Sequence, residues 1–145
     1  MSLPLDSDGF LRRECPHCET EFKWFDGRAD DCPDDFVDES LVTCPLCGRA
    51  ATPDAWWTKD QLDLAQQSAS AAFMLELRDG LSGMPKNDLI RFEMSGDEPD
   101  PPDPLTEPDD MVIVEPPCHY WERVKVPEEA VGPFYCTVCG GAYAA

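Results

Sequence analysis

Cys15-Pro-His-Cys18 and Cys44-Pro-Leu-Cys47-Gly48 decide how this chain is read. Each is a C-x-x-C tetrapeptide, short enough to aim both sulfurs at one point while the backbone amides of the turn stabilise thiolate charge. Proline after a first cysteine and glycine after a last one suit tight turns. Two such turns supply the four ligands of a tetrahedral zinc ion. The pairs are separated by residues 19–43, 25 positions, a gap somewhat longer than is usual between the halves of a zinc site. An acidic insert around residues 30–39 accounts for the excess. His17 lies between the ligands and is read as a turn residue.

The two tips resemble those of the zinc-ribbon family, over residues 14–50. The resemblance implies a β-hairpin-rich fold built on one structural zinc held by Cys15, Cys18, Cys44 and Cys47. It implies little about activity, because such ribbons serve transcription factors, ribosomal proteins and assembly adaptors alike. Cys15-Pro-His-Cys18 also matches the tetrapeptide of thiol-disulfide oxidoreductases. There a low-pKa cysteine at a helix N-terminus does the chemistry. That reading needs a βαβ setting and leaves the second pair without a role.

A third pair, Cys136-Thr-Val-Cys139-Gly140, lies near the C-terminus. Its partners are expected upstream at Cys118 and His119, with residues 120–135 between, 16 positions. Adjacent ligands are less usual because neighbouring side chains diverge, but Pro116-Pro117 can set the sharp turn they require. Cys118, His119, Cys136 and Cys139 are therefore the candidate second zinc site. Cys32 is the alternative fourth ligand and otherwise a spare thiol in the acidic loop. The two cysteine-bearing halves differ in spacing and ligand count, so no internal repeat is expected.

Composition bounds the rest. A chain of 145 residues with eight cysteines is short of core, and small domains need staples. The stretch Met1–Phe10, MSLPLDSDGF, has neither a basic start nor an apolar run, so no signal peptide and a reducing, cytoplasmic setting are expected. Nothing in the sequence calls for a membrane span. Eleven basic residues face thirty acidic ones, a net charge of −19. Such a balance repels phosphate backbones and favours a protein partner, one with a basic surface, over direct nucleic-acid binding.

Along the chain, residues 1–13 read as a loose lead-in, and Glu21-Phe-Lys-Trp-Phe25 and Leu41-Val-Thr43 as strands. Thr52-Pro53-Asp54 is a helix start. The helix is expected to run to residue 79, with Gly80 as its C-cap and Trp57, Leu64, Ala71, Ala72 and Leu75 as a buried stripe widened by Leu62, Ala65, Ala69 and Phe73. Residues 89–94 alternate like a strand. Residues 95–110 are proline- and acid-rich and read as an extended linker or long loop. Met111–Val114, residues 123–126 and Phe134-Tyr135 are short strand pieces.

The expected fold is a small α+β protein: a zinc ribbon of β-hairpin knuckles, one long central helix and a short-stranded C-terminal zinc-binding unit. In chain order these are residues 1–50, 51–94, 95–110 and 111–145, the third being the acidic linker or loop. Both zinc sites are closed by protein ligands, and no H-E-x-x-H motif, phosphate loop or nucleophile elbow is present, so no enzyme is expected. An adaptor, inhibitor or accessory subunit is the leading expectation, with the helix and residues 97–110 as contact elements. A nucleic-acid-associated zinc ribbon is the alternative, followed by the oxidoreductase.

Overall fold

The computed structural model describes residues 2–82 and 102–145. The expected strand at residues 89–94 lies outside them. Among the described residues the chain is a small α+β protein with one α-helix and three antiparallel sheets. It divides into two compact units, one formed by Ser2–Lys59 with Thr106–Ala145, the other holding residues 60–105. Among the described residues no helix is long and apolar enough to cross a membrane.

The first unit is organised by a four-stranded sheet. Strands β1 (Phe10–Glu14) and β2 (Glu21–Phe25) form a hairpin whose turn is Cys15-Pro-His-Cys18. Two later strands, β5 (Met111–Val114) and β6 (Val124–Pro127), complete the order β1-β2-β6-β5. Segments from the two ends of the sequence thus share one sheet.

The register separates two kinds of row across it. Leu11, Trp24, Val124 and Val114 stand opposite one another on one face. The next row is Arg12, Lys23, Lys125 and Ile113. Because strand side chains alternate, the second row points to the other face.

The apolar face carries the core. Val114, Val124, Val126, Phe134, Cys136 and Tyr143 form one buried cluster, and Cys15, Phe22, Cys44 and Trp56 another. Trp24 and Leu46 pack against both. Phe22 meets Trp56 edge to face at 5.7 Å between ring centroids, a geometry that adds about 1 kcal/mol to the burial itself.

The opposite face puts three cations side by side, which is repulsive unless countered. Asp6 stands between two of them, its Oδ2 3.3 Å from Lys23 Nζ and 2.7 Å from Lys125 Nζ. Asp8 takes Lys125 at 2.7 Å. Glu107 and Asp110 each pair with both Arg12 and Lys23. Asp109 accepts a hydrogen bond from the Ser7 amide. Two expectations change here. The lead-in is not loose, because Asp6 caps a turn through the Phe10 and Asp8 amides and Phe10 opens β1. Residues 102–110 carry no regular secondary structure, but Glu107, Asp109 and Asp110 are bound to the sheet and its lead-in rather than merely solvated.

The helix also departs from expectation. Thr52-Pro53-Asp54 starts only a 3-10 turn, Pro53–Ala55, and α1 spans Lys59–Ser82. The delay has a cause: Trp56 is fully buried against Phe22 and its carbonyl accepts from the Glu14 amide, which holds the chain beside β1. Trp57 is consequently outside the helix. Gly80 lies within α1 and lacks the positive φ of a capping glycine. The stripe is not uniformly buried either, since Leu62, Phe73 and Leu75 are exposed, as are Met74 and Leu77.

Candidate metal centres

Three of the turns share one backbone plan. In each, the first cysteine's amide donates to the residue five positions on, and its carbonyl accepts from the residue four positions on. The bonds are Cys15 N to Thr20 O with Glu19 N to Cys15 O, Cys44 N to Arg49 O with Gly48 N to Cys44 O, and Cys136 N to Gly141 O with Gly140 N to Cys136 O. The residue after the second cysteine must turn through left-handed space. Gly48 and Gly140 do so at φ 76° and 73°, whereas Glu19 does so at φ 57° with a side chain attached. The left-handed region costs a non-glycine residue about 1–2 kcal/mol. Glu19→Gly is therefore expected to raise the unfolding free energy of the metal-loaded protein by about 1 kcal/mol in chemical denaturation. A decrease would show that the Glu19 side chain contributes more than the strain costs.

The turns bring the candidate ligands together. Cys15, Cys18, Cys44 and Cys47 form one cluster and Cys118, His119, Cys136 and Cys139 a second, the donor atoms of each lying within 4.8 Å of one another. In the first, Cys15 and Cys47 sulfurs are 3.7 Å apart and Cys18 and Cys44 sulfurs 3.9 Å. Sulfurs on a regular tetrahedron around zinc are separated by about 3.8 Å. In the second, Cys118 and Cys139 sulfurs are 3.5 Å apart, and Cys136 Sγ lies 3.4 Å from His119 Nδ1. A sulfur and a nitrogen on one zinc are separated by about 3.5 Å. Both donor sets fit a tetrahedral cation.

The residues left open by the sequence are now placed. His119 joins the second cluster through Nδ1, so the adjacent pair Cys118-His119 does converge. Cys32 does not join; its thiol faces the Pro33 carbonyl. His17 directs Nε2 to the Ala50 carbonyl, 3.2 Å away, and is not in the first cluster. The acidic insert between the first two pairs also packs inward. Phe36 packs on Trp121 at 5.3 Å and on His119 at 6.4 Å, so the insert walls the second cluster.

One relation escaped sequence reading. The short hairpin β3 (Val42–Thr43) with β4 (Ala50–Ala51) and the hairpin β7 (Phe134–Tyr135) with β8 (Ala142–Tyr143) place their strands at the same offsets around a C-x-x-C-G turn. They also pair reciprocally. Thr43 N donates to Thr137 O and Tyr135 N to Pro45 O, both at 2.9 Å. The Tyr135 ring covers Gly48, where a Cβ would stand 3.1 Å from it, and Thr43 covers Gly140, where a Cβ would stand 3.6 Å away. This is a local two-fold repeat joining one half of each cluster. Its only trace in the sequence is C-x-x-C-G itself, too short to announce a repeat.

The electrostatics explain why such clusters want a cation. Burial pushes the Cys15, Cys44 and Cys136 thiols up, Cys136 to about 12. Cys18 and Cys139 are more exposed and go down: burial of Cys18 is outweighed by hydrogen bonds from Thr20, and Cys139 is lowered chiefly by the Gly141 amide. Four contacting thiols cannot all ionise alone, but a bound divalent cation deprotonates coordinating thiols outright. Cys15 follows directly on β1 rather than opening a helix, and burial raises its thiol, whereas thiol-disulfide oxidoreductase chemistry uses a low-pKa cysteine at a helix N-terminus. Compared with models of protein families, with curated proteins and with solved structures, the chain matches none.

Proposed function

We propose that the chain is a structural zinc protein, holding one zinc ion in each cluster and acting by protein–protein association as an adaptor, inhibitor or accessory subunit. The observation that carries this reading is that each cluster offers four converging donors at tetrahedral separations. A catalytic zinc keeps a position open for water or substrate, and four protein donors leave none. The first cluster takes the zinc-ribbon form, two knuckles on hairpins. Zinc rather than a harder cation follows from thiolate and imidazole donors, and a small core explains why the metal is needed.

Association is favoured over direct nucleic-acid binding by where the cations are. Arg12, Lys23, Arg123 and Lys125 are all engaged by carboxylates of the chain itself. They are thereby spent as phosphate contacts. The acidic segment is engaged in part as well, with Glu107 and Asp110 held internally by Arg12 and Lys23.

Native mass spectrometry of the protein gently purified from its own cells tests both halves of the reading. Two zinc ions and a co-purifying protein are expected. A metal-free monomer with an intramolecular disulfide would overturn the zinc assignment, and two zincs with tight, salt-sensitive binding to bare DNA or RNA would overturn the association reading.

A further inference from the structure

The first unit has a groove of about 280 Å³ that neither cluster uses. It is smaller than the roughly 300–1,000 Å³ of pockets that take drug-sized ligands, and suits a single long side chain. Trp24, Phe25 and Phe36 supply aromatic wall, and Asp38, Glu39 and Glu122 supply the polar lining. Among the described residues none of these three carboxylates is in an ion pair, although Arg12, Lys23, Arg123 and Lys125 all are. Arg28 lies beside Phe36, one of the groove's wall residues. Its guanidinium donates to the Pro33 and Phe36 carbonyls and not to Glu122. A half-buried carboxylate outside any ion pair, set in aromatic walls, is an arrangement that an incoming cation relieves.

Two of the wall rings already stack guanidinium groups of the chain itself. The Arg13 guanidinium lies 4.7 Å from the Trp24 ring centroid, and that of Arg28 lies 5.9 Å from the Phe36 centroid. A planar guanidinium stacks on such rings and bonds carboxylates in a fork, which a compact ammonium cannot do as well. Charge complementarity points the same way, since a chain with a net charge of −19 attracts basic partners. We propose that this groove receives an arginine side chain of a basic protein partner, its guanidinium against Glu122 and Asp38 and its aliphatic stem along Phe25 and Phe36. The proposal deepens the association reading and rests on it.

The test uses the full zinc-loaded chain and two probes, acetyl-Gly-Arg-Gly-amide and its citrulline twin, which keeps the shape of arginine but not the charge. Amide NMR signals of Phe36, Val42 and Val138 are expected to move saturably with the arginine peptide and not with the citrulline peptide. Glu122→Gln is expected to weaken the arginine peptide about five-fold or more, while Asp63→Asn on α1 leaves it unchanged. Asp38→Asn provides the same reading should Glu122→Gln fail to fold. Equal shifts with both peptides, shifts spread evenly over acidic surface, or equal losses in Asp38→Asn and Asp63→Asn would overturn the proposal. A native complex with a protein partner that survives Glu122→Gln, from a groove indifferent to the peptide, would overturn the groove and leave the association reading standing. Peptide binding at the groove without any protein partner in native spectra would support the groove's chemistry and overturn the association reading instead.

Discussion

Cys44→Ser is expected to cost the protein the metal ion of the first cluster and to weaken its hold on the second. The direct effect is plain: a buried ligand of the first cluster is lost, and structural zinc in small domains contributes on the order of 10 kcal/mol of folding free energy. The indirect effect comes from the reciprocal hairpins. Cys44 lies between Thr43, which donates to Thr137, and Pro45, which accepts from Tyr135. Thr137 and Tyr135 flank Cys136, a buried member of the second cluster. Both clusters also pack on Trp24 and Leu46. A turn that loses its metal at 44–47 therefore loosens the backbone that orients 136–139.

Cobalt titration reads the two clusters separately, because four-sulfur and three-sulfur-one-nitrogen sites differ in their visible bands. In the wild type the two sets of bands are expected to grow together. In Cys44→Ser, cobalt affinity at the second cluster is expected to fall by roughly ten-fold or more, the size of an ordinary coupling free energy. Linkage makes metal–metal coupling reciprocal, so Cys136→Ser is expected to weaken the first cluster by a similar factor. Unchanged affinity at the second cluster in Cys44→Ser would show that the paired hairpins transmit nothing and that the clusters are independent staples.

The three C-x-x-C turns were legible as candidate metal ligands because each converges on its own within four residues. The same holds for Glu21–Phe25 as a strand, whose aromatics point to a core. What was not legible depends on partners distant in sequence. FLRRE at 10–14 does not alternate visibly, because its second row is charged and is neutralised by residues about a hundred positions away, Glu107 and Asp110. The acidic run at 95–110 reads as a linker or loop for the same reason, since its partners Arg12 and Lys23 are far away in sequence. Thr52-Pro53 carries a genuine helix-start signal that loses to the burial of Trp56, a tertiary effect that outweighs a cap worth about 1 kcal/mol. The candidate arginine groove had no sequence signature, since its walls come from β2, the acidic insert and the turn before β6.

The buried charges make the second large prediction. Asp6→Asn is expected to destabilise the metal-loaded protein by about 3–5 kcal/mol, the range found when one partner is removed from a buried ion pair. The substitution isolates the charge. Asparagine keeps the Oδ1 that accepts from the Phe10 and Asp8 amides, so the turn into β1 is preserved. What it removes is the one carboxylate between Lys23 and Lys125, both buried and directly opposite each other on neighbouring strands. Lys23→Met is expected to cost less, because it deletes a buried cation while Asp6 keeps Lys125, and Glu107 and Asp110 keep Arg12.

Proton linkage supplies an independent check on the same residue. Burial alone would raise the Asp6 carboxyl, but the hydrogen bonds from Lys125, the Phe10 amide and Lys23 outweigh it and hold the group at about 2 instead of 3.8. A carboxyl lowered by folding stabilises the native state above its unfolded value and loses that contribution as pH falls through its folded value. The interval corresponds to about 2 kcal/mol. The stability difference between wild type and Asp6→Asn is therefore expected to be full at neutral pH, to begin shrinking as pH approaches 3.8 and to have fallen by about 2 kcal/mol near 2. Zinc loss at low pH lowers both proteins together and leaves this difference readable for as long as each retains a folding transition. An Asp6→Asn protein as stable at neutral pH as an exposed control, Asp103→Asn, would mean that the lysine pair is screened by Glu107, Asp110 and Asp8 alone, and that the carboxylate of Asp6 is not what holds the cation row under the core sheet.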